Sequence, residues 1–284
     1  MAVSGKGRRA ALGQFLTAAG GLAALPALPA APALPAAPAG AGPASVWLED
    51  LTWTELRDRI QAGSTTLIVP IGGVEQSGPF IALGKHNQRV RVIAQQIAEA
   101  LGHALLAPVV AYVPEGGTAP PSSHMRFPGT ITVPEEVFVQ TLMSAAESLR
   151  VHGMRHVVFL GDHGGYRKSV ERAAAQLNRR WAGSAQALVP PEYYRASTEG
   201  FDALLREQGF RGDEIGSHAG LADAALQLAV APDSVRSLRN AARPGPADGV
   251  YGGDPRRASA ALGQRGVELI VRNTVAALRR DIAR

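Results

Sequence analysis

The sequence predicts an α/β fold, a three-layer α-β-α sandwich with a mostly parallel sheet. Two patterns predict it. Short β-branched or aliphatic runs alternate with segments whose apolar residues recur at helical spacing. Strands separated by helices in turn require right-handed crossovers, which lay helices over both faces of a parallel sheet.

Thr65 to Gly73 reads as a buried strand ending in glycines. Val90, Ile93, Ala94, Ile97, Ala98 and Leu101 mark the helix that follows. Leu105 to Val113 is a second strand. Phe138, Leu142, Ala145 and Leu149 mark the next helix, with Pro134 near its first turn. His156 to Gly161 is a third strand, and Val170, Ala173, Ala174, Leu177 and Trp181 outline its helix. Gln186 to Val189 reads as a fourth strand. Val267, Ile270, Val271, Thr274, Val275, Leu278 and Ile282 form a long closing helix. No repeat or composition shift divides residues 45–284, which therefore make one domain.

Of the 284 residues, 46% are hydrophobic, enough for a sizeable core and too many for a disordered chain. There is no cysteine, which removes disulfides, thiolate metal sites and cysteine nucleophiles together. The net charge of +5 falls to +2 beyond residue 44, and the arginines there are scattered. A nucleic-acid partner needs a concentrated basic face, so none is expected.

Residues 1–44 have the three parts of a bacterial export signal. A polar start carries Arg8-Arg9, a weakly apolar stretch over 15–35 follows, and small residues run to Ala44. The twin arginine resembles a twin-arginine signal and predicts a periplasmic protein. Prolines from Pro26 onward spoil a spanning helix, and no later run reaches the ~18 apolar residues a span needs.

In a sheet of this kind ligands gather beyond the carboxyl ends of the strands. Four of the seven histidines lie in such segments: His86, His124, His163 and His218, each near glycine or proline turns. Together with Glu75 and Asp223, in a chain without cysteine, they make an oxygen-and-nitrogen metal site a candidate. Taken singly, Asp162 also fits a turn residue and His218 a helix-end residue. His124 either lines a substrate pocket or pins the Phe127-Pro128 turn.

These segments resemble the creatininase family of metal-dependent amidohydrolases. The resemblance rests on five elements in order: Gly73-Val74-Glu75-Gln76-Ser77-Gly78-Pro79-Phe80 through His86; His124 with Phe127-Pro128-Gly129-Thr130; Gly161-Asp162-His163-Gly164-Gly165-Tyr166; His218-Ala219-Gly220-Leu221-Ala222-Asp223; and Gly249-Val250-Tyr251-Gly252-Gly253-Asp254-Pro255. It implies a creatininase-like sandwich and hydrolysis of a non-peptide C–N bond in a small amide or lactam. It also implies a homo-oligomer, with ring-like or hexameric assemblies among the family's forms. Of the family's ligand positions, Glu75 and His163 match unchanged. Ser77 stands where the family has a histidine, Phe80 where it has a second, His86 where it has an aspartate that can bridge two metals, and Asp223 where it has a glutamate.

A neutral imidazole has one in-plane lone pair and cannot bridge two ions, so the expectation is one divalent metal, Zn, Mn or Fe. Its expected ligands are Glu75, His86, His163 and Asp223. His218 and Asp162 are the expected proton carriers, and His124, Ser77 and Phe80 the expected substrate contacts. Ser77 and Phe80 equally suit a degenerate exported paralogue that serves as a binding or scaffold protein. A third reading makes Ser77 a nucleophile with His86 or His163 as base.

Overall fold

A computed structural model describes residues 45–237 and 242–283; the expected export segment, residues 1–44, lies outside them. Helix α1 (Trp53–Gln61) opens on a capping box between Thr52 and Glu55. Next come β1 (Thr66–Ile71), α2 (Lys85–Leu101), β2 (Ala104–Leu106), α3 (Glu135–Arg150) and β3 (His156–Gly161). After them run α4 (Arg167–Trp181), β4 (Gln186–Leu188) and α5 (Pro191–Arg195). A π-helical turn joins α5 to α6 (Phe201–Glu207), and α7 (Gly212–Ile215), α8 (Leu221–Val230) and α9 (Ala260–Ile282) complete the fold.

The four strands form a parallel sheet in the order β2-β1-β3-β4. The fold is therefore the α/β sandwich expected. The second strand is shorter than its apolar run suggested. Pro108 has no N–H to give the ladder, so the chain leaves the sheet after Ala107 and returns at Val110, whose N–H bonds Pro70 O.

Alternation along the strands builds two cores. Ile68, Val158 and Leu160 point to one face, where α2, α8 and α9 cover them. Leu67, Val69, Val157 and Phe159 point to the other, under α3 and α4. On the first face α8 and α9 touch at Gly263, where a Cβ would fall 1.8 Å from Ala225 O, so only glycine permits the approach. The closing helix buries Val267, Ile270, Val275 and Leu278, as its periodicity required. Both central strands thus end at the same edge, and the segments that follow them meet there.

Candidate metal centre and its ion-pair cluster

Tyr166 joins the two central strand ends. Its ring is buried, its oxygen accepts from the N–H groups of Asp162 and His163, and its O–H points at the carbonyls of Ile71 and Gly72, 2.9 and 2.8 Å away. This fixes the loop that carries Asp162 and His163 against the loop that carries Glu75. Thr130 does the same for His124: its hydroxyl accepts from Gln76 N and donates to His124 O. The Phe127-Pro128-Gly129-Thr130 turn therefore holds His124 in place, and His124 also lines the cavity described next.

A cavity of about 590 Å³ opens at this edge, and Lys85, His86, Asp162, His163, His218 and Asp223 are among its lining. Glu75 is fully buried and touches four of the histidines around it. His86 Nε2 lies 2.7 Å from Glu75 Oε1, His124 Nε2 3.4 Å and His163 Nε2 3.5 Å from Oε2, and His218 Nδ1 3.7 Å from Oε1. Ser77 and Phe80 are not in the lining. Ser77 is buried with its hydroxyl unpartnered, and the backbone carbonyl of Phe80 takes the N–H of Arg236. The structure thus brings only His124 of the three expected substrate contacts to the cavity.

Among the described residues, one group of acids and histidines converges as a metal would require: Glu75, Glu115, His124 and His163, with ligand atoms within 4.8 Å of one another. Of the expected ligands it contains Glu75 and His163, but not His86 or Asp223. The reason is where those two are engaged. Both ring nitrogens of His86 face carboxylate oxygens, Glu75 Oε1 at 2.7 Å and Asp162 Oδ2 at 2.6 Å, so no lone pair points to open space. Asp223 Oδ1 takes a hydrogen from Arg89, and its Oδ2 takes those of Lys85 and Ala219 N.

Asp162 is also spoken for. Its Oδ2 accepts from His86 and Arg89, and its Oδ1 from Tyr193 at 2.8 Å, which leaves no oxygen to carry protons to a substrate. Burial would raise the Asp162 and Asp223 carboxyls. Arg89 and His86 beside the first, and Lys85 and Arg89 beside the second, overcome this and hold both below the usual carboxylate range.

The converging group has the opposite character. Glu75 Oε2 and both oxygens of Glu115 are buried with no hydrogen-bond donor in the protein. Such a group costs about 1–3 kcal/mol unless something else satisfies it. Glu75 is held well below the usual range because His86 and Lys85 more than offset its burial. Glu115 has no such help: burial and the Glu75 charge push it up to about 9. Burial likewise lowers His163 to about 3 and His218 to about 4, and lowers His124, so all three rings are neutral near pH 7.

Orientation separates His124 from the rest. Gly78 N–H fixes Gln76 Oε1, which turns the Gln76 amide nitrogen toward His124 Nδ1 at 3.2 Å. Gln76 donates there, so His124 presents an N–H, not a lone pair, from Nε2. Glu75, Glu115 and His163 keep free donors. Three protein ligands with a further position open suit one catalytic divalent ion. They do not suffice for two.

Glu115 is the residue that sequence reasoning missed. Its signal was present: a lone acid between Pro114 and Gly116-Gly117, just beyond the second strand. Gly73 belongs to the same arrangement. Its φ is +143°, and a Cβ there would lie 2.9 Å from Glu115 Oε1.

The family model for creatininase, described as creatinine amidohydrolase, matches residues 49–278. The chain belongs to the creatininase family. It is 26% identical to a creatinine amidohydrolase of Pseudomonas putida over 197 residues, 67% of this chain and 74% of that protein. It is 28% identical to a mycofactocin precursor peptide peptidase of Mycobacterium tuberculosis over 42% of this chain and 48% of that one. A crystal structure of creatininase superposes with a TM-score of 0.72 over 84% of this chain and 98% of its own, at 24% identity. A mutant creatininase described as the Zn-Zn type, also 24% identical, superposes at 0.71 over the same shares of the two chains, and a form described as Mn at 0.72. These solved structures establish the shared fold. Glu75 and His163, the two positions expected from the resemblance to be unchanged ligands, both fall in the converging group.

Proposed function

We propose that this creatininase-family protein is a one-metal hydrolase of C–N bonds in small amides, with Glu75, Glu115 and His163 as the ligands of a single divalent ion. One observation carries the reading: two buried carboxyl groups, with three oxygens that have no hydrogen-bond partner, converge with a neutral imidazole beside an open cavity. Bound there, an ion would lower the pKa of a water and polarise a substrate carbonyl. The chain supplies the rest. Neutral His218 lines the cavity and is held at Nε2 by Gln76, so it can take a proton and return it to the leaving nitrogen as the C–N bond breaks. His124, an N–H donor fixed by Gln76 and Thr130, orients the substrate oxygen. Lys85 and Arg89 hold Asp223 and Asp162 in place and do not move protons.

The substrate is a lactam or small amide in this reading, and the peptidase relatives make a short peptide the alternative class to test. The experiment is direct. Protein loaded with Zn²⁺ or Mn²⁺ is offered a panel of cyclic amides, linear amides and dipeptides, and amine release is measured. Turnover of at least one member, lost in Glu115→Gln and His218→Gln, is expected. No release from any member by a folded, ion-loaded protein would overturn the reading and favour a binding or scaffold role.

A further inference from the structure

We propose that the Lys85 ammonium is a resident cation standing in for a second divalent ion, so that this site is built for one ion where a structural neighbour is described as the Zn-Zn type. The inference rests on the one-ion reading above. It starts from where the donors are spent. Lys85 is 1% exposed, and its Nζ lies 3.3 Å from Glu75 Oε1 and 2.9 Å from Asp223 Oδ2. It thus spans two carboxylates that belong to different chain segments, as a bridging ion does. Arg89, 4% exposed, closes the other side by joining Asp223 Oδ1 to Asp162 Oδ2, each at 2.8 Å. Every oxygen of Asp162 and Asp223 has a donor from the chain, and Glu75 is split: Oε1 faces Lys85 and His86, and Oε2 remains free on the side of Glu115.

The position of Lys85 in its helix argues the same way. It is the first residue of α2, after the Gly84 cap, and the first turn has no acid. A cation there opposes the helix dipole, so the helix gains nothing from it. The carboxylates of other segments are what hold it. A second divalent ion between Glu75 Oε1 and Asp223 would have to displace the ammonium and sit against the Arg89 guanidinium.

The test is ion counting, with thermal unfolding as a second readout, on the wild type, Lys85→Met and Lys85→Arg, each dialysed against Zn²⁺ or Mn²⁺. The expected result is about one equivalent for the wild type and Lys85→Arg. Lys85→Met should melt lower than the wild type without ions, take up about two equivalents, and recover its melting temperature as the second binds. One equivalent in Lys85→Met, with the same ion-induced shift as the wild type, would overturn the proposal. If Lys85→Met does not fold alone, refolding by ions with two equivalents bound supports the proposal, and failure to refold with either ion overturns it, because a merely structural lysine predicts failure whatever ion is added. A wild type without ions sinks the one-ion reading. In that case one ion gained by Lys85→Met would still uphold the role of the lysine, and none in either would end both.

Discussion

Two clusters of buried charge meet at Glu75, one on each of its oxygens, and they are satisfied in opposite ways. Around Oε1 the chain supplies its own partners: the cations Lys85 and Arg89, together with the His86 ring, contact Glu75, Asp162 and Asp223, and Tyr193 completes Asp162. Around Oε2 it leaves groups unsatisfied: Glu75 Oε2 and both oxygens of Glu115 have no hydrogen-bond partner, beside neutral His163 and with His124 Nε2 3.4 Å from Oε2. The first cluster is closed and the second is incomplete. A closed ion-pair cluster is a structural device, whereas buried carboxyl oxygens without partners are candidate ligands for a cation. The difference separates residues of similar chemistry, such as Asp223 and Glu115, into different roles.

Arg89 is where the closed cluster is most sensitive. Arg89→Met leaves Asp162 and Asp223 short of their shared partner, which for a buried pair costs about 3–5 kcal/mol. Urea unfolding at pH 7 should show that loss whether or not a divalent ion is present. If added ion restores the stability in full, the two clusters are one. Tyr193→Phe removes the donor to Asp162 Oδ1 and should cost about 1–3 kcal/mol, again with ion uptake unchanged.

Gly73→Ala probes the open cluster instead. Its new Cβ would crowd Glu115 Oε1 and strain a positive-φ backbone, so ion affinity should fall roughly 10–100-fold, the range for displaced metal supports. Calorimetric titration reads it, and an unchanged affinity would remove Glu115 from the ligand set.

The smallest effect at neutral pH belongs to His218. Its folded pKa, about 4, lies below the ordinary value of 6.5, so between these the unfolded chain binds a proton that the folded chain does not. Stability of the ion-free protein should therefore fall as pH drops from 6.5 toward 4. His218→Gln should remove about 1.4 kcal/mol per pH unit of that slope. Unfolding curves at pH 6.5, 5.5 and 4.5 decide it, and equal slopes would mean that the ring is not neutral in the fold.

The parallel sheet was legible because alternating helix and strand patterns leave few arrangements, whereas its strand order was not, and Pro108 cut the second strand shortest against its apolar run. Glu75, His163, His124 and His218 were legible as chemistry beyond strand ends, and the structure brings all four together. What the sequence did not tell was which acids are already paired. Asp223 and His86 have the right residue types for ligands, but Lys85 and Arg89 engage Asp223 where α2 packs against α8, and Glu75 and Asp162, on the loops after the two central strands, flank His86. Glu115 was overlooked for the converse reason. A single acid in a glycine-rich loop has no spacing to mark it, and it became a candidate only when Gly73 let it lie against Glu75.

Counting divalent ions in the folded wild type, Glu115→Gln and Asp223→Asn tests the distinction most directly. Circular dichroism establishes that each is folded. About one equivalent is expected in the wild type, almost none in Glu115→Gln, and about one in a less stable Asp223→Asn. An ion retained in Glu115→Gln and lost in Asp223→Asn would contradict it.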